Sequence, residues 1–290
     1  MKKCVACNKS NFELIWNDKI RSSAKNFTKK KEKIFKCNNC DLVFLQKKRK
    51  ILENSAITRN IFNKDNSIKE FIKFHSPREN SKLKFIKNIF PLQNKKILES
   101  NCGAGILINS LRKKSKLTAG LDNKFYKNYI EQKGHKFFSN FSEIKKSKIK
   151  FDVIFSLSEI EHKYNPIDFL KKLRKILSKK GVIILRIPNY NNIYMQLLGK
   201  SFFKYDFRVS HNYYFNEKNL DLIFKKLNFK ILKKRGYNEY SFNHLLNYVF
   251  HKKRFGDKKL KKYFSKTDEK FVEKNIEKSL SSTSLIYLLK

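Results

Sequence analysis

Two pairs of cysteines near the beginning of the chain have the spacing of a metal site. Cys4 and Cys7 form one C-x2-C pair, and Cys37 and Cys40 form the second. Each pair can present two thiolates from a tight turn, so the four together suit one tetrahedral ion, most naturally zinc. Four thiolates leave no open position for a substrate. We therefore predict a structural zinc that stabilises a small module.

A glycine-containing turn lies further along the chain, between a short apolar run and an amphipathic segment. It reads Glu99-Ser100-Asn101-Cys102-Gly103-Ala104-Gly105. Glycine lets the backbone approach a ligand closely, and free N–H groups at the start of the next helix can meet ligand oxygens. Asp122 ends the following apolar run about 20 residues later, where a carboxylate can accept both hydroxyls of a ribose. Together these features predict a nucleotide-type site.

Glu161 and His162 form the sharpest candidate for acid–base chemistry. An imidazole at this place, just beyond an apolar run, can take a proton from a hydroxyl or an activated carbon near neutral pH. The alternative is that His162 only orders the loop before Pro166. His211 is a second candidate, either as a base or substrate contact or as a structural residue.

Alternating strands and helices must position these residues. Runs that are apolar throughout predict strands that are buried in a parallel sheet, and the segments between them have helical periodicity. Asn216 is predicted to cap the last of these helices. The predicted strands are 95–99, 117–122, 151–156, 181–188, 229–232 and 283–289, and the predicted helices are 106–113, 166–177 and 216–227.

Taken in order, these motifs resemble class I S-adenosylmethionine-dependent methyltransferases. The resemblance covers roughly residues 93–235 and, after the glycine turn, includes Gly120-Leu121-Asp122, Phe151-Asp152-Val153-Ile154, Ile160-Glu161-His162 and Ile187-Pro188-Asn189. It implies an α/β fold with a Rossmann-like seven-stranded methyltransferase sheet, preceded by a small N-terminal zinc ribbon. The cysteine pairs ahead of this fold resemble a subset whose members often act in sugar and surface-polysaccharide biosynthesis.

The resemblance also implies how S-adenosylmethionine would be held. The implied cofactor-binding residues are Glu99, Asn101, Gly103, Gly105, Asp122, Asn123, Ser156 and Leu157. Asn101 stands where related loops usually have glycine, and Asn is the non-glycine residue that best tolerates a left-handed backbone. Some O-methyltransferases of this class bind Mg²⁺ through E-x-x-E-H after the fourth strand. Ser158 replaces the first Glu here, so we expect no metal at that place.

The same resemblance divides the chain into three consecutive segments. Residues 1–50 are predicted to form the zinc ribbon, 51–92 a helical linker, and 93–290 the methyltransferase domain. Two insertions within the last segment, at about 189–216 and 237–282, are predicted to cap the substrate pocket.

Basic residues dominate the composition. The chain of 290 residues has 67 Lys and Arg against 25 Asp and Glu, a formal net charge of +42. Only 10 of these cations are Arg, the side chain that best suits phosphate recognition, so we interpret the lysines as mainly solvated surface. Anionic partners stay open, chiefly a nucleotide-linked sugar and, less favoured, a nucleic acid.

The apolar runs are too short for a membrane protein. None approaches the roughly 20 residues that a spanning helix needs, and no signal peptide precedes the first cysteine. We therefore predict a cytoplasmic protein without a membrane span, in which cysteines serve as ligands or core thiols.

The leading functional hypothesis is methyl transfer from S-adenosylmethionine to a small-molecule acceptor, such as a sugar or surface-polysaccharide precursor. An RNA methyltransferase is the alternative enzyme, favoured by the ribbon and the basicity. Against it, residues 156–159 lack an Asn/Asp-Pro-Pro-aromatic motif, and the chain has no Pro-Cys nucleophile. The third hypothesis is a degenerate, non-catalytic binding scaffold, in which the Asn101 turn no longer takes the cofactor.

Overall fold

The computed structural model describes residues 3–23, 26–49, 67–251 and 260–290. Parts of the predicted linker (51–66) and of the second predicted insertion (252–259) lie outside the described residues. The strands are β1 (Phe12–Asp18), β2 (Glu32–Cys37), β3 (Val43–Leu45), β4 (Lys96–Ser100), β5 (Leu117–Leu121), β6 (Lys136–Phe138), β7 (Phe151–Leu157), β8 (Leu177–Pro188), β9 (Tyr213–Tyr214), β10 (Ile231–Tyr237) and β11 (Ser284–Leu289). The α-helices are α1 (Ser67–Lys87), α2 (Ile106–Leu111), α3 (Lys127–Gln132), α4 (Phe141–Lys146), α5 (Pro166–Lys175), α6 (Ile193–Leu198), α7 (Lys200–Asp206), α8 (Glu217–Lys226), α9 (Phe242–His251) and α10 (Lys266–Lys278).

Seven strands form one sheet in the order β10-β11-β8-β7-β4-β5-β6. β4 runs parallel to both of its neighbours, β5 and β7. The core residues of these strands are apolar on both faces, as in Ile97 and Leu98 of β4 and Val153 and Ile154 of β7, which are all fully buried. Burial on both faces is the reason that these strands are apolar throughout rather than alternating. The predicted α/β fold with a Rossmann-like seven-stranded sheet is confirmed.

The strand register brings the carboxyl ends of three strands to one edge of the sheet. Ser100 at the end of β4 is the register partner of Leu121 in β5 and of Ser156 in β7. Segments that leave these strand ends must therefore begin close together. Ligands of open parallel sheets bind at this kind of edge, outside the carboxyl ends of the strands.

Two predicted strands are longer in the structure than in the sequence prediction. β8 begins at Leu177, and β10 begins at Ile231 but continues to Tyr237. The end of β10 was missed because it contains Lys233, Lys234 and Arg235, which read as loop. β10 is an edge strand of the sheet, where charged side chains are tolerated because one side of the strand has no neighbour among the described strands.

Local capping explains where two of the helices start. Asn216 accepts a hydrogen bond from the backbone N–H of Asn219 at 3.1 Å, and the Asn219 side chain accepts one from the backbone N–H of Asn216, so the predicted cap of α8 is confirmed as a capping box. Pro166 occupies the first turn of α5 behind the cap residue Asn165. Within the described ranges, no helix combines the length and apolar character needed to cross a membrane.

By their contacts, the described residues fall into two compact units. Unit 1 takes residues from 1–48 and 186–287, and unit 2 takes residues from 49–185 and 288–290. This grouping differs from the three consecutive segments expected from the sequence, because the first 48 residues group with a later part of the chain. The segment boundaries themselves stay a prediction.

Within unit 1, the N-terminal strands share a sheet and a core with the first predicted insertion. The strands β1, β2 and β3 form an antiparallel sheet, and β9 adds a fourth strand through pairing of Val43 with Tyr214 and Phe44 with Tyr213. A single buried apolar cluster contains Ile20, Ile34, Val43, Leu45, Phe203, Phe207 and Tyr214. The small module is therefore not packed on its own but buries its apolar face against residues of the 189–216 segment.

Candidate functional site

The glycine turn after β4 contains three residues with left-handed backbone. Their φ angles are +58° at Asn101, +53° at Gly103 and +68° at Gly105. A Cβ atom at Gly105 would lie 2.5 Å from Cδ1 of Ile130, so a side chain here would have to displace the end of Ile130 and also adopt a strained left-handed backbone. Asn101 adopts the left-handed conformation that Asn tolerates best among the non-glycine residues, and its N–H donates to the carbonyl of Leu121 at 2.8 Å. The turn therefore forms without a glycine at Asn101.

Asp122 joins the turn to the end of β5. Its side chain is only 8% exposed. One carboxylate oxygen accepts from the N–H of Gly103 at 2.7 Å, and the other accepts from the N–H of Asn123 at 2.7 Å. A carboxylate has about four acceptor positions, so Asp122 can fix the turn and also accept hydroxyl donors from a ligand.

Glu99, the residue before the end of β4, places a buried carboxyl group under the turn. It is 7% exposed, and its Oε2 atom has no hydrogen-bond partner among the described residues. Burial raises the pKa of this carboxyl well above its usual range, and the nearby Glu79 adds to the effect. A buried acceptor of this kind fits a ligand that brings a cationic donor, because such a donor would supply the missing bond and charge.

Helix α1 lies against the turn, although the sequence predicted only a helical linker there. A Cβ atom at Gly103 would lie 3.2 Å from the ring of Phe71, and that ring contacts His75 with centroids 4.3 Å apart. Glu79 and Lys82 form a largely buried ion pair of 2.8 Å. Phe71, His75, Glu79 and Lys82 recur every three or four residues, and this helical spacing was the signal that could have identified one face of α1.

The ends of β4 and β7 are joined by a residue that sequence reasoning missed. The hydroxyls of Ser100 and Ser156 donate to the two carboxylate oxygens of Glu159, at 3.0 and 2.8 Å. Leu157, the other predicted residue on β7, is its last residue and is partly exposed. The sequence carries no signal for this role of Glu159, because a Glu in a loop after a strand normally indicates an exposed position.

The candidate catalytic residues Glu161 and His162 lie on a single 3-10 turn in unit 2. The side chain of Glu161 is 1% exposed, that of His162 is 28% exposed, and Oε1 of Glu161 lies 3.9 Å from Nε2 of His162. This separation allows charge stabilisation of a protonated imidazole but is too long for a direct hydrogen bond. His211 belongs to unit 1, where it is buried and its ring lies 5.5 Å from that of Tyr214.

The four N-terminal cysteines converge in unit 1. Their sulfur atoms all lie within 4.8 Å of one another, with 3.6 Å between Cys4 and Cys40 and 3.6 Å between Cys7 and Cys37. A tetrahedral zinc with bonds of about 2.3 Å requires sulfur atoms about 3.8 Å apart. Their shared hydrogen bond lowers the pKa of Cys4 to about 5 and raises the pKa of Cys40, so one thiolate of this pair is favoured even before a metal binds. The donor set and its spacing therefore fit zinc.

The second cysteine pair is anchored to helix α8 of the same unit. The Asn219 side chain donates to the backbone carbonyl of Cys40 at 3.3 Å, and Lys218 pairs with Asp41 at 2.9 Å. Lys226 donates to the side chain of Asn8 at 2.9 Å, next to the first pair. Both cysteine turns thus contact the same helix.

Comparison with known proteins identifies the family. A sequence profile described as a methyltransferase domain matches residues 71–234, more than half of the chain. The ubiquinone biosynthesis O-methyltransferase of Pelagibacter ubique is 33% identical over 109 residues, which cover 34% of this chain and 44% of that protein. The chain therefore spans less than half the length of this curated relative.

Solved structures show the same fold at low sequence identity. A SAM-dependent methyltransferase from Thermotoga maritima, described as a possible histamine N-methyltransferase, is 16% identical with a TM-score of 0.50, and the match covers 78% of this chain and 94% of that one. A chain of the Haloferax volcanii complex that contains the Trm112 methyltransferase activator is 12% identical with a TM-score of 0.51, covering 78% and 93%.

Proposed function

Since the chain belongs to the methyltransferase-domain family and is an S-adenosylmethionine-dependent methyltransferase, we propose that its acceptor is a small molecule, such as a sugar or surface-polysaccharide precursor. The similarity to the ubiquinone biosynthesis O-methyltransferase of Pelagibacter ubique supports the small-molecule class. The residues that follow β7 support it too, because they lack the Asn/Asp-Pro-Pro-aromatic motif of certain base methylases. A nucleotide-linked sugar would suit the basic chain.

The single observation that carries the assignment of the site is the arrangement of Glu99 and Asp122 around the glycine turn. Glu99 offers a buried acceptor for the ammonium group of the cofactor, and Asp122 offers acceptors for the ribose hydroxyls. Asn101, Gly103 and Gly105 allow the backbone to approach the ligand. The predicted contacts by Asn123, Ser156 and Leu157 are part of the same proposal.

When bound, S-adenosylmethionine supplies an electrophilic methyl group on a sulfonium. The protein then has to align the acceptor and remove a proton from it where one is present. We assign the proton acceptance to His162 and the stabilisation of the resulting imidazolium to the buried carboxyl of Glu161. His211 is proposed as a second base or as a contact to the acceptor.

The four cysteines are proposed to hold a structural zinc. The 3.6 Å separations between sulfur atoms support a zinc site. A structural role is supported because four thiolates fill all four coordination positions of the ion and leave none for a substrate. The metal would stabilise the turns that contact α8 rather than take part in methyl transfer. A cytoplasmic location remains our prediction, since a reducing compartment keeps such thiols available for metal.

A binding and transfer experiment tests the proposal. Zinc-loaded protein would be titrated with S-adenosylhomocysteine by calorimetry and then incubated with methyl-labelled S-adenosylmethionine and separate metabolite and RNA fractions from cells. We expect binding, with label in the metabolite fraction. Label in the RNA fraction, with salt-sensitive RNA binding, would support the RNA alternative. A folded protein that does not bind at millimolar ligand would be the non-catalytic scaffold.

A further inference from the structure

A buried carboxylate bridges two neighbouring strands where the cofactor turn begins. Glu159 is 5% exposed, and its two oxygens accept separately from the hydroxyls of Ser100 and Ser156. Ser100 and Ser156 are register partners on β4 and β7. The backbone continues from Ser100 directly into the glycine turn. One side chain thus ties the start of this turn to β7.

The same residue also holds the turn that carries Glu161 and His162. The ammonium of Lys163 lies 2.9 Å from Oε1 of Glu159 and 4.7 Å from the ring centre of Phe169 on α5. The carbonyl of Glu159 accepts from the N–H of His162 at 3.1 Å. Ser158 has a φ of +63°, and this left-handed residue reverses the chain so that the Glu159 side chain can reach back to the strand ends.

We propose that Glu159 is a positioning residue that fixes the cofactor turn and the Glu161–His162 turn relative to each other. The proposal rests on the methyltransferase assignment and on the proposed role of His162. Donor and base must be held within fractions of an ångström for efficient transfer. A carboxylate is suited to this task because it accepts two hydroxyls and one ammonium at once, which an apolar residue cannot do.

The opposite edge of the sheet offers a matched control. Asp152 on β7 accepts from the N–H of Lys96 on β4 at 2.9 Å and from the hydroxyl of Ser178 on β8 at 2.9 Å. It therefore joins the same pair of strands as Glu159, but at their amino ends, away from both turns. Its loss should reduce stability without affecting the cofactor edge.

Hydrogen exchange of the ligand-free protein tests the coupling directly. In Glu159→Ala we expect amide exchange at 101–105 and at 160–163 to rise roughly tenfold, because the charge-assisted bonds to Ser100, which precedes the first segment, and to Lys163 in the second segment are lost. Affinity for S-adenosylhomocysteine should fall by a similar factor. Asp152→Ala should lower the melting temperature while leaving both segments and the affinity unchanged.

Two further variants keep the test decisive if Glu159→Ala does not fold. Glu159→Gln can still bond both serine hydroxyls, since its amide accepts from one and donates to the other, and it should restore protection at 101–105. Lys163→Met changes only the second turn but should raise exchange at 101–105 as well.

Two results would overturn the proposal. One is faster exchange confined to 160–163 in Lys163→Met, and the other is wild-type affinity for S-adenosylhomocysteine in folded Glu159→Ala. Failure of the wild type to bind S-adenosylhomocysteine would instead refute the proposed function, and the exchange data would still decide the role of Glu159.

Discussion

Replacing Asp122 by Asn should weaken cofactor binding strongly with little change in shape. In the structure, its two oxygens each accept a backbone N–H at 2.7 Å, from Gly103 and from Asn123. An Asn side chain has one oxygen, so its NH₂ group must face one of these two N–H groups. The substitution removes the negative charge and at least one acceptor for the ribose.

The magnitude follows from the number of bonds lost. A hydrogen bond to a charged group contributes about 1.5–3 kcal/mol. In the variant, the two ribose hydroxyls would no longer donate to a charged acceptor. We take about 3 kcal/mol as the net effect, which corresponds to roughly a 100-fold increase in the dissociation constant. Calorimetry with S-adenosylhomocysteine measures this change, and Asp168→Asn, at an exposed position on α5, serves as the control.

A second ligand separates the ribose contact from any loosening of the turn. A 2′-deoxyribose analogue of S-adenosylhomocysteine should bind the wild type more weakly than the parent ligand but should lose little further affinity with Asp122→Asn. If the loss of affinity caused by the deoxyribose analogue and the loss caused by Asp122→Asn simply add, Asp122 acts only by holding the turn. Unchanged affinity in Asp122→Asn for the parent ligand would refute the assignment of the ribose site.

Three further predictions concern the turn, the buried acid and the cysteines. Gly105→Ala should destabilise the protein by about 2 kcal/mol, because alanine is strained at a φ of +68° and its Cβ atom would push aside the end of the buried Ile130 side chain, 2.5 Å away. Gly103→Ala should cost less, since its Cβ meets only a ring edge at 3.2 Å; equal urea midpoints would contradict this order. Glu99→Gln should gain free energy of unfolding relative to wild type as pH rises. Burial raises the folded pKa of Glu99, so the wild-type contribution is full below the unfolded pKa and is lost as pH rises through the folded value; parallel stability curves would argue against this. Cys37→Ser should lose tightly bound zinc, and full metal content by elemental analysis would exclude the four-thiolate site.

Six of the seven strands of the sheet could be predicted because burial leaves a clear trace in the sequence, whereas β6, with only three residues, was not predicted. β4 and β7 are short apolar runs with fully buried centres, and their loops carry glycine or capping residues. The cap at Asn216 was also predictable, since the side chain and the N–H groups that it satisfies lie within one turn. The features of the fold that can be predicted from a single sequence are therefore those that depend on a few neighbouring residues.

The contacts that were missed join residues far apart in the chain. β9 pairs with β3, which lies more than 150 residues earlier in the chain. A strand of two residues is also too short to show the periodicity from which strands are predicted. In the sequence, Glu159 and the α1 residues that lie against the turn look like ordinary surface positions. Only their burial in the structure distinguishes them. A Glu on a polar helix or in a loop normally suggests solvent, so their placement against the cofactor edge required the structure.

We propose that this chain uses the Glu99–Asp122 site to transfer a methyl group from S-adenosylmethionine to a small molecule. The most direct measurement is label transfer from methyl-labelled S-adenosylmethionine into a cell metabolite extract, with wild type and Asp122→Asn at equal concentration. We predict labelled small molecules with the wild type and a loss of at least about 100-fold in the variant at subsaturating cofactor. Label found only in RNA, or equal labelling by both proteins, would contradict the claim.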